Sequence, residues 1–177
     1  MKYVALLRGI NVGGNNKVNM KQLVAAMSKA GFQEVSTYIN SGNIFFSANY
    51  TKAKLTSKLE QLIKDEFGLF IKVLLRKKDS INELTRSIPT EWTNSSEMKC
   101  DVMFLWDKYN DESVLELLKI KLEIDEVKYV HGALIWKVDR KNITKSGMMK
   151  LVGTELYRNM TIRNCNTVRK IAERLNG

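Results

Sequence analysis

One proline, one histidine and two cysteines are all that this 177-residue chain holds of three residue types that often dictate structure or chemistry. With Pro89 alone, no stretch reads as a proline-rich disordered linker. With His131 alone, neither a histidine-built metal site nor a Ser-His-Asp arrangement is expected. Cys100 and Cys165 are far apart in the chain and match no CxxC pattern, so both are expected as reduced thiols rather than as a disulfide or ligand pair. Apolar runs last only a few residues, too short to span a bilayer. The run that follows Met1 is cut by Arg8 before it reaches the length of a signal peptide. The expectation is a cytoplasmic protein with no membrane partner, no metal and no cofactor.

Catalytic constellations are equally sparse. Ser41 and Ser146 have no histidine close by in sequence, and Asp101, Asp107 and Asp139 form no metal-like spacing. Whether the chain is an enzyme therefore stays open at the level of sequence.

What is present is charge, unevenly spread. The formal net charge is +10. Residues 1–78 hold 13 Lys/Arg against 4 Asp/Glu, a net +9. Residues 79–136 hold 6 against 12, a net −6, and residues 137–177 hold 10 against 3, a net +7. Basic segments around an acidic middle favour an acidic partner: nucleic acid, nucleotide or acidic protein.

The most distinctive stretch is Arg8-Gly-Ile-Asn-Val-Gly-Gly-Asn-Asn-Lys17, with three glycines, three asparagines and two cations in ten residues. Glycine permits positive φ and close backbone approach, and asparagine tolerates left-handed geometry. Two to six residues suffice to turn a strand into a helix, so the extra length needs a reason. Backbone N–H groups between cations, with a helix starting next, suit an oxygen-rich anion. The glycine spacing matches neither GxxxxGK[ST] nor GxGxxG, which excludes the standard phosphate loops.

Periodicity organises the rest. Lys2–Leu7 reads as a strand. Asn19 caps a helix carrying Met20, Leu23, Val24 and Met27, which Gly31 ends. Val35–Asn40 and Ile44–Ala48 are strands around Ser41-Gly42-Asn43. Leu55, Leu59, Leu62, Ile63 and Phe67 mark a long helix ended by Gly68, and Phe70–Leu75 is the next strand. Asp79 caps a short helix stopped at Pro89, and Thr90–Lys99 reads as connection. The pattern then recurs: strand Asp101–Trp106, a helix marked by Val114, Leu117, Leu118 and Lys121, strands Glu126–Val130 and Leu134–Val138 around His131, a helix over Ile143–Val152, strand Met160–Asn164, and a last helix capped by Asn166.

The order predicts an α+β chain of two tandem ferredoxin-like (βαββαβ) plaits with antiparallel sheets, plus a C-terminal helix. The expected boundaries are 1–78 for the first domain, 79–99 for a connecting helix and linker, and 100–177 for the second domain. Right-handed crossovers bring Arg8–Lys17 and Ser41–Asn43 to one end of the first sheet.

Together with Thr161-Ile-Arg-Asn-Cys-Asn-Thr-Val168, these two motifs resemble a bacterial family known as a domain of unknown function, numbered 1697. The resemblance runs over nearly the full length. It is most specific at Arg8–Gly14, at Tyr38-Ile-Asn-Ser-Gly-Asn43, and at Arg163-Asn164 with Asn166-Thr167. It implies two tandem plait domains and no established activity, cofactor or substrate. Relatives usually carry Trp where this chain has Cys165, and commonly Gln where it has Asn40.

The candidate ligand-binding residues are Arg8, Asn11, Gly13, Gly14, Lys17, Ser41, Gly42 and Asn43, with Arg163 and Asn164 as a second anion-binding candidate at a helix start. The leading expectation is an anion-binding protein taking nucleic acid or a nucleotide. The competing readings are an enzyme acting on a small phosphorylated or carboxylated metabolite, and a protein-interaction module. Tyr3 with Phe45 or Phe46 could stack bases on the central strands. Against that, the open sheet face is expected to be buried. Trp106 and Trp136 are expected in the core.

Overall fold

β1 (Lys2–Leu7) is the strand around which the first unit is built. Its residues alternate between two faces, as the pleat requires. Tyr3, Ala5 and Leu7 enter the core beneath the helices, while Val4 and Leu6 point the other way and are equally buried. The computed structural model describes residues 1–130 and 132–177. His131, read from sequence as a turn residue, lies outside the described residues.

β1 pairs antiparallel with β3 (Asn43–Ser47) and β4 (Val73–Lys77), and β2 (Gln33–Tyr38) adds outside β3. The sheet order is β2-β3-β1-β4. α1 (Met20–Lys29) starts where Asn19 accepts the Gln22 N–H at 3.1 Å. α2 (Lys52–Phe67) starts at Thr51 and ends at Gly68, whose φ of +69° closes the helix in the left-handed cap that glycine adopts without strain. Leu55, Leu59 and Ile63 recur at helical spacing and are buried. Phe46 stacks on Tyr3 at 5.6 Å and takes the edge of Phe32 at 5.1 Å. Each such side chain, fully buried, contributes about 1.5–3 kcal/mol.

These rings decide between base stacking and burial in favour of burial, as expected. Tyr3 and Phe46 are 1% and 2% exposed and Phe45 is 6% exposed, so none offers a stacking surface. β4 begins at Val73 rather than at Phe70.

The second unit repeats the sheet. β5 (Met98–Leu105) pairs with β7 (Ala133–Asp139) and β8 (Met160–Asn164), and β6 (Asp125–Val130) adds outside β7. The order is β6-β7-β5-β8. Here the helices depart from expectation. Residues expected in two α-helices form 3₁₀ turns at Glu112–Leu117, Arg140–Lys145 and Gly147–Leu151.

The buried carboxylate of Asp125 accounts for part of this. It accepts from Ser146 Oγ at 2.5 Å, from the N–H of Lys121 and of Gly147 at 3.0 Å each, and from Trp136 Nε1 at 3.1 Å. Backbone N–H groups directed at a carboxylate cannot also continue an α-helical ladder. Gly147 is needed there, because a Cβ on it would lie 1.4 Å from the Lys119 carbonyl oxygen. Trp136 is buried as expected, whereas Trp106 is half-buried.

α3 (Lys78–Arg86) follows β4, and a single-turn helix, α4 (Glu155–Arg158), precedes β8. α5 (Cys165–Asn176) follows β8 directly. Its cap is Asn164, whose Oδ1 accepts the Thr167 N–H at 2.8 Å, and not Asn166. Asn166 instead exchanges two hydrogen bonds with the Asn94 backbone, and Arg169 donates to the carbonyls of Trp92 and Pro89. The polar stretch before β5 is thereby tied down.

The chain divides into two compact units, Met1–Ile81 with Ile171–Gly177, and Asn82–Lys170. The last turn and a half of α5 thus belongs to the first unit, where Arg174 lies 4.9 Å over the Tyr38 ring. Among the described residues no helix is long and apolar enough to cross a membrane.

Candidate functional site

The register of the first sheet brings three connections to one end. Leu6 pairs with Asn43 and Leu7 with Val73, so β1 finishes where β3 and β4 start. Residues 8–19, 39–42 and 68–72 therefore share one rim. Backbone bonds tie them: Leu7 N–H donates to the Gly42 carbonyl at 2.9 Å, and Arg8 N–H to the Lys72 carbonyl at 3.1 Å.

The long loop after β1 is a folded element in its own right. Val12 and Asn15 bridge across Gly13 and Gly14, whose φ values of +58° and +81° are those of a tight hairpin turn with both central residues left-handed. Asn11 and Asn16 are also left-handed, at +53° and +48°. Both asparagines use their amides inside the structure. Asn16 Nδ2 donates to the Gly9 carbonyl at 2.9 Å. Asn11 Oδ1 accepts the Val18 N–H at 2.9 Å, and its Nδ2 donates to the Val18 carbonyl at 3.1 Å and to the Asn40 carbonyl at 2.9 Å. One side chain thus closes its own loop and joins it to the β2–β3 connection.

That second connection is tightly built. Gly42, at φ +80°, leaves no room for a side chain: a Cβ would lie 2.7 Å from Leu7 Cβ and 2.8 Å from Ile10 Cδ1. Asn43 is fully buried and donates to the Tyr38 carbonyl and to Ser41 Oγ, both at 3.1 Å. Ile39 is held at φ +52° while 48% exposed. For a β-branched residue that conformation is an outlier costing about 1–3 kcal/mol.

Between the loops lies an open hollow of about 600 Å³ lined by Asn11, Gly14, Lys17, Asn19, Lys21 and Asn40. Lys17 and Lys21 are exposed, and the start of α1 borders the same hollow. Of the residues expected from sequence, Gly13, Gly14 and Lys17 are exposed here, and Arg8, Asn11 and Ser41 are half-buried. Gly42 and Asn43 are buried as the brace of the turn. Arg163 and Asn164 belong to the second unit. Arg163 is buried and donates to Thr161 Oγ1 at 3.1 Å and to the Ile162 carbonyl at 2.8 Å, and burial pushes its pKa down to about 10.

Sequence reasoning missed Lys21, Ile39 and Asn40 as parts of the rim, and it missed the 68–72 connection altogether. Strand order was the signal that could have found the latter, since β4 must start where β1 ends. Among the described residues no group of three His, Cys, Asp or Glu could hold a metal ion.

A family model described as "Protein of unknown function (DUF1697)" matches residues 1–136. Among solved structures, the chain is similar to the conserved bacterial protein SP0830 from Streptococcus pneumoniae. The two are 31% identical with a TM-score of 0.84, over 98% of each chain. Comparison with curated proteins gives no match.

Proposed function

This chain belongs to the DUF1697 family of proteins of unknown function, and on that footing we propose that its first unit is an anion-binding module. The ligand is a nucleic acid or nucleotide, held by its phosphates at the rim formed by residues 8–19 and 39–43. The observation that carries this reading is Asn11. Its amide joins the two loops at the Asn40 carbonyl, and so sets Lys17 and Lys21 around one hollow at the start of α1. Cations beside a helix start attract phosphate oxygens. The net +9 of residues 1–78 draws such ligands from a distance. The strain at Ile39 supports the reading, because strained backbone clusters at working surfaces.

Both units are read as ferredoxin-like plaits derived by internal duplication. The support is the shared strand order, with the second, fourth, sixth and eighth strands at the sheet edges. Two free cysteines suit a reducing, cytoplasmic setting.

The test is a fluorescence-anisotropy titration with short single-stranded RNA and DNA at low and near-physiological salt. Wild type is compared with the double variant Lys17→Ala, Lys21→Ala. Binding that persists near physiological salt and weakens in the variant is the expected result. Binding that vanishes with modest salt, equally in both proteins, would reduce the rim to a cationic surface.

A further inference from the structure

Three large apolar side chains stand in solvent on the three connections of the rim. Val12 is 65% exposed, Ile39 48% and Phe70 84%. Cations accompany them: Lys17 and Lys21 on one side, Lys64 and Lys72 on the other. Apolar tips among cations fit a ligand that is partly anionic and partly flat or apolar.

Phe70 is the aromatic one. It follows the Gly68 cap of α2, and Lys64 Nζ lies 5.1 Å from its ring centroid. Beside the ring is a second hollow, of about 430 Å³, with Ser57, Glu60, Gln61 and Lys72 among its walls. Glu60 is held there by the Val73 N–H at 2.9 Å, and Gln61 donates to Asp65 at 2.7 Å. Hydroxyl, amide and carboxylate groups can hydrogen-bond the edge of a base. The same groups disfavour an acyl chain, so a membrane surface fits less well. Backbone contact between Arg8 and Lys72 makes this platform continuous with the rim.

Resting on the rim reading above, we propose that Phe70 is a stacking platform for a base of a nucleotide-containing ligand whose phosphates lie along the rim. The base lies against the ring while Lys64 and Lys72 face the adjoining phosphates. An exposed aromatic ring binds any base through its π-face, so the platform confers affinity with little sequence preference.

The experiment titrates labelled single-stranded oligonucleotides into the whole chain and its variants Phe70→Leu, Phe70→Trp and Lys17→Ala, with inorganic tripolyphosphate as a base-free probe. Because Phe70 is exposed, thermal melts of its variants should match wild type. The expected result is that Phe70→Leu weakens oligonucleotide binding roughly tenfold, Phe70→Trp retains it, and tripolyphosphate binding responds to neither. Competition by a mononucleotide as well as by unlabelled oligonucleotide would make the ligand a nucleotide; competition by the oligonucleotide alone would make it a nucleic acid. Unchanged binding in Phe70→Leu overturns the platform, and a persisting loss in Lys17→Ala then leaves the rim reading standing. Unchanged binding in Lys17→Ala too would overturn both. Phe70-dependent binding to phosphatidylserine vesicles, without oligonucleotide binding, would overturn the base proposal in favour of a membrane surface.

Discussion

Cys100 and Cys165, the two cysteines of the chain, adjoin at the end of one ladder, their thiols hydrogen-bonded to each other. β5 and β8 pair as far as Asp101 with Asn164, and the next residues along the chain are Cys100, still in β5, and Cys165, the first of α5. Both are fully buried. The Cys100 thiol donates to Cys165, and this bond, helped by Arg169, draws the Cys165 pKa down to about 7. The Arg169 Nη1 atom lies 3.8 Å from Cys165 Sγ, and Cys165 itself opens α5, whose N-terminus favours a thiolate. The same bond and burial push Cys100 upward. Thiols expected to be unrelated are therefore neighbours with opposite tendencies.

Thiolate absorbance in the ultraviolet should accordingly appear below the ordinary cysteine pKa of 9.0, and Cys165→Ser should abolish that early rise. A spectrophotometric pH titration of wild type and variant reads this directly, with no reagent having to reach a buried thiol. An early rise that survives in Cys165→Ser, or a wild-type rise that starts only at the ordinary value, would show that the thiolate does not reside on Cys165.

Gly42 and Gly13 separate two reasons for glycine. Both have positive φ, but a Cβ at Gly42 would meet Leu7 and Ile10 below 3.0 Å, whereas nothing lies within 4 Å at Gly13. Gly13→Ala should cost about 1–2 kcal/mol for the left-handed backbone alone. Gly42→Ala should cost more, with overpacking adding about 1–3 kcal/mol. Urea denaturation midpoints measure the difference, and equal losses would refute the close approach.

Ile39 is the converse case. Replacing it with glycine removes the left-handed strain at φ +52°, and Ile39→Gly should stabilise the chain by about 1 kcal/mol, the lost strain outweighing the greater freedom of the unfolded glycine. If the strain serves binding, the same variant should bind oligonucleotides less well. A more stable protein with unaltered affinity would separate the strain from function.

Asp125 anchors the second unit. Burial alone would raise its pKa, but the donors from Ser146, Lys121, Trp136 and Gly147 outweigh it and hold the carboxyl below the ordinary 3.8. A depressed carboxylate contributes stability that is present above its unfolded pKa and lost as pH falls through the folded one. Thermal melts should therefore show an acid-labile contribution below about pH 4 that Asp125→Ala lacks. That substitution leaves buried donors without an acceptor and should cost about 2–5 kcal/mol near neutral pH.

The salt dependence of the rim can be predicted as well. Each phosphate contact to a single strand contributes about 0.7 to the slope of log K against log salt. Removing Lys17 and Lys21 together should flatten the slope by about 1.4 if each touches one phosphate. An unchanged slope would place the phosphates elsewhere.

Local chemistry was legible in the residues themselves. Asn19 caps α1 and Gly68 ends α2 because each contact is made within a few positions of the chain, and the apolar spacing of Leu55, Leu59 and Ile63 is an intrinsic period. The eight strands among the described residues, and their order of appearance, follow from the same local signals. Tertiary structure decided what depends on distant partners. Asp125 diverts the N–H groups of Lys121 and Gly147, so turns replace the helices that periodicity favours. Asn164 caps α5 while Asn166 serves Asn94, 72 positions away in sequence. Asn11 joins two loops that no local rule connects. A hydrogen-bonding group with several partners in reach takes those the fold presents, and a sequence read in short windows contains only the near ones.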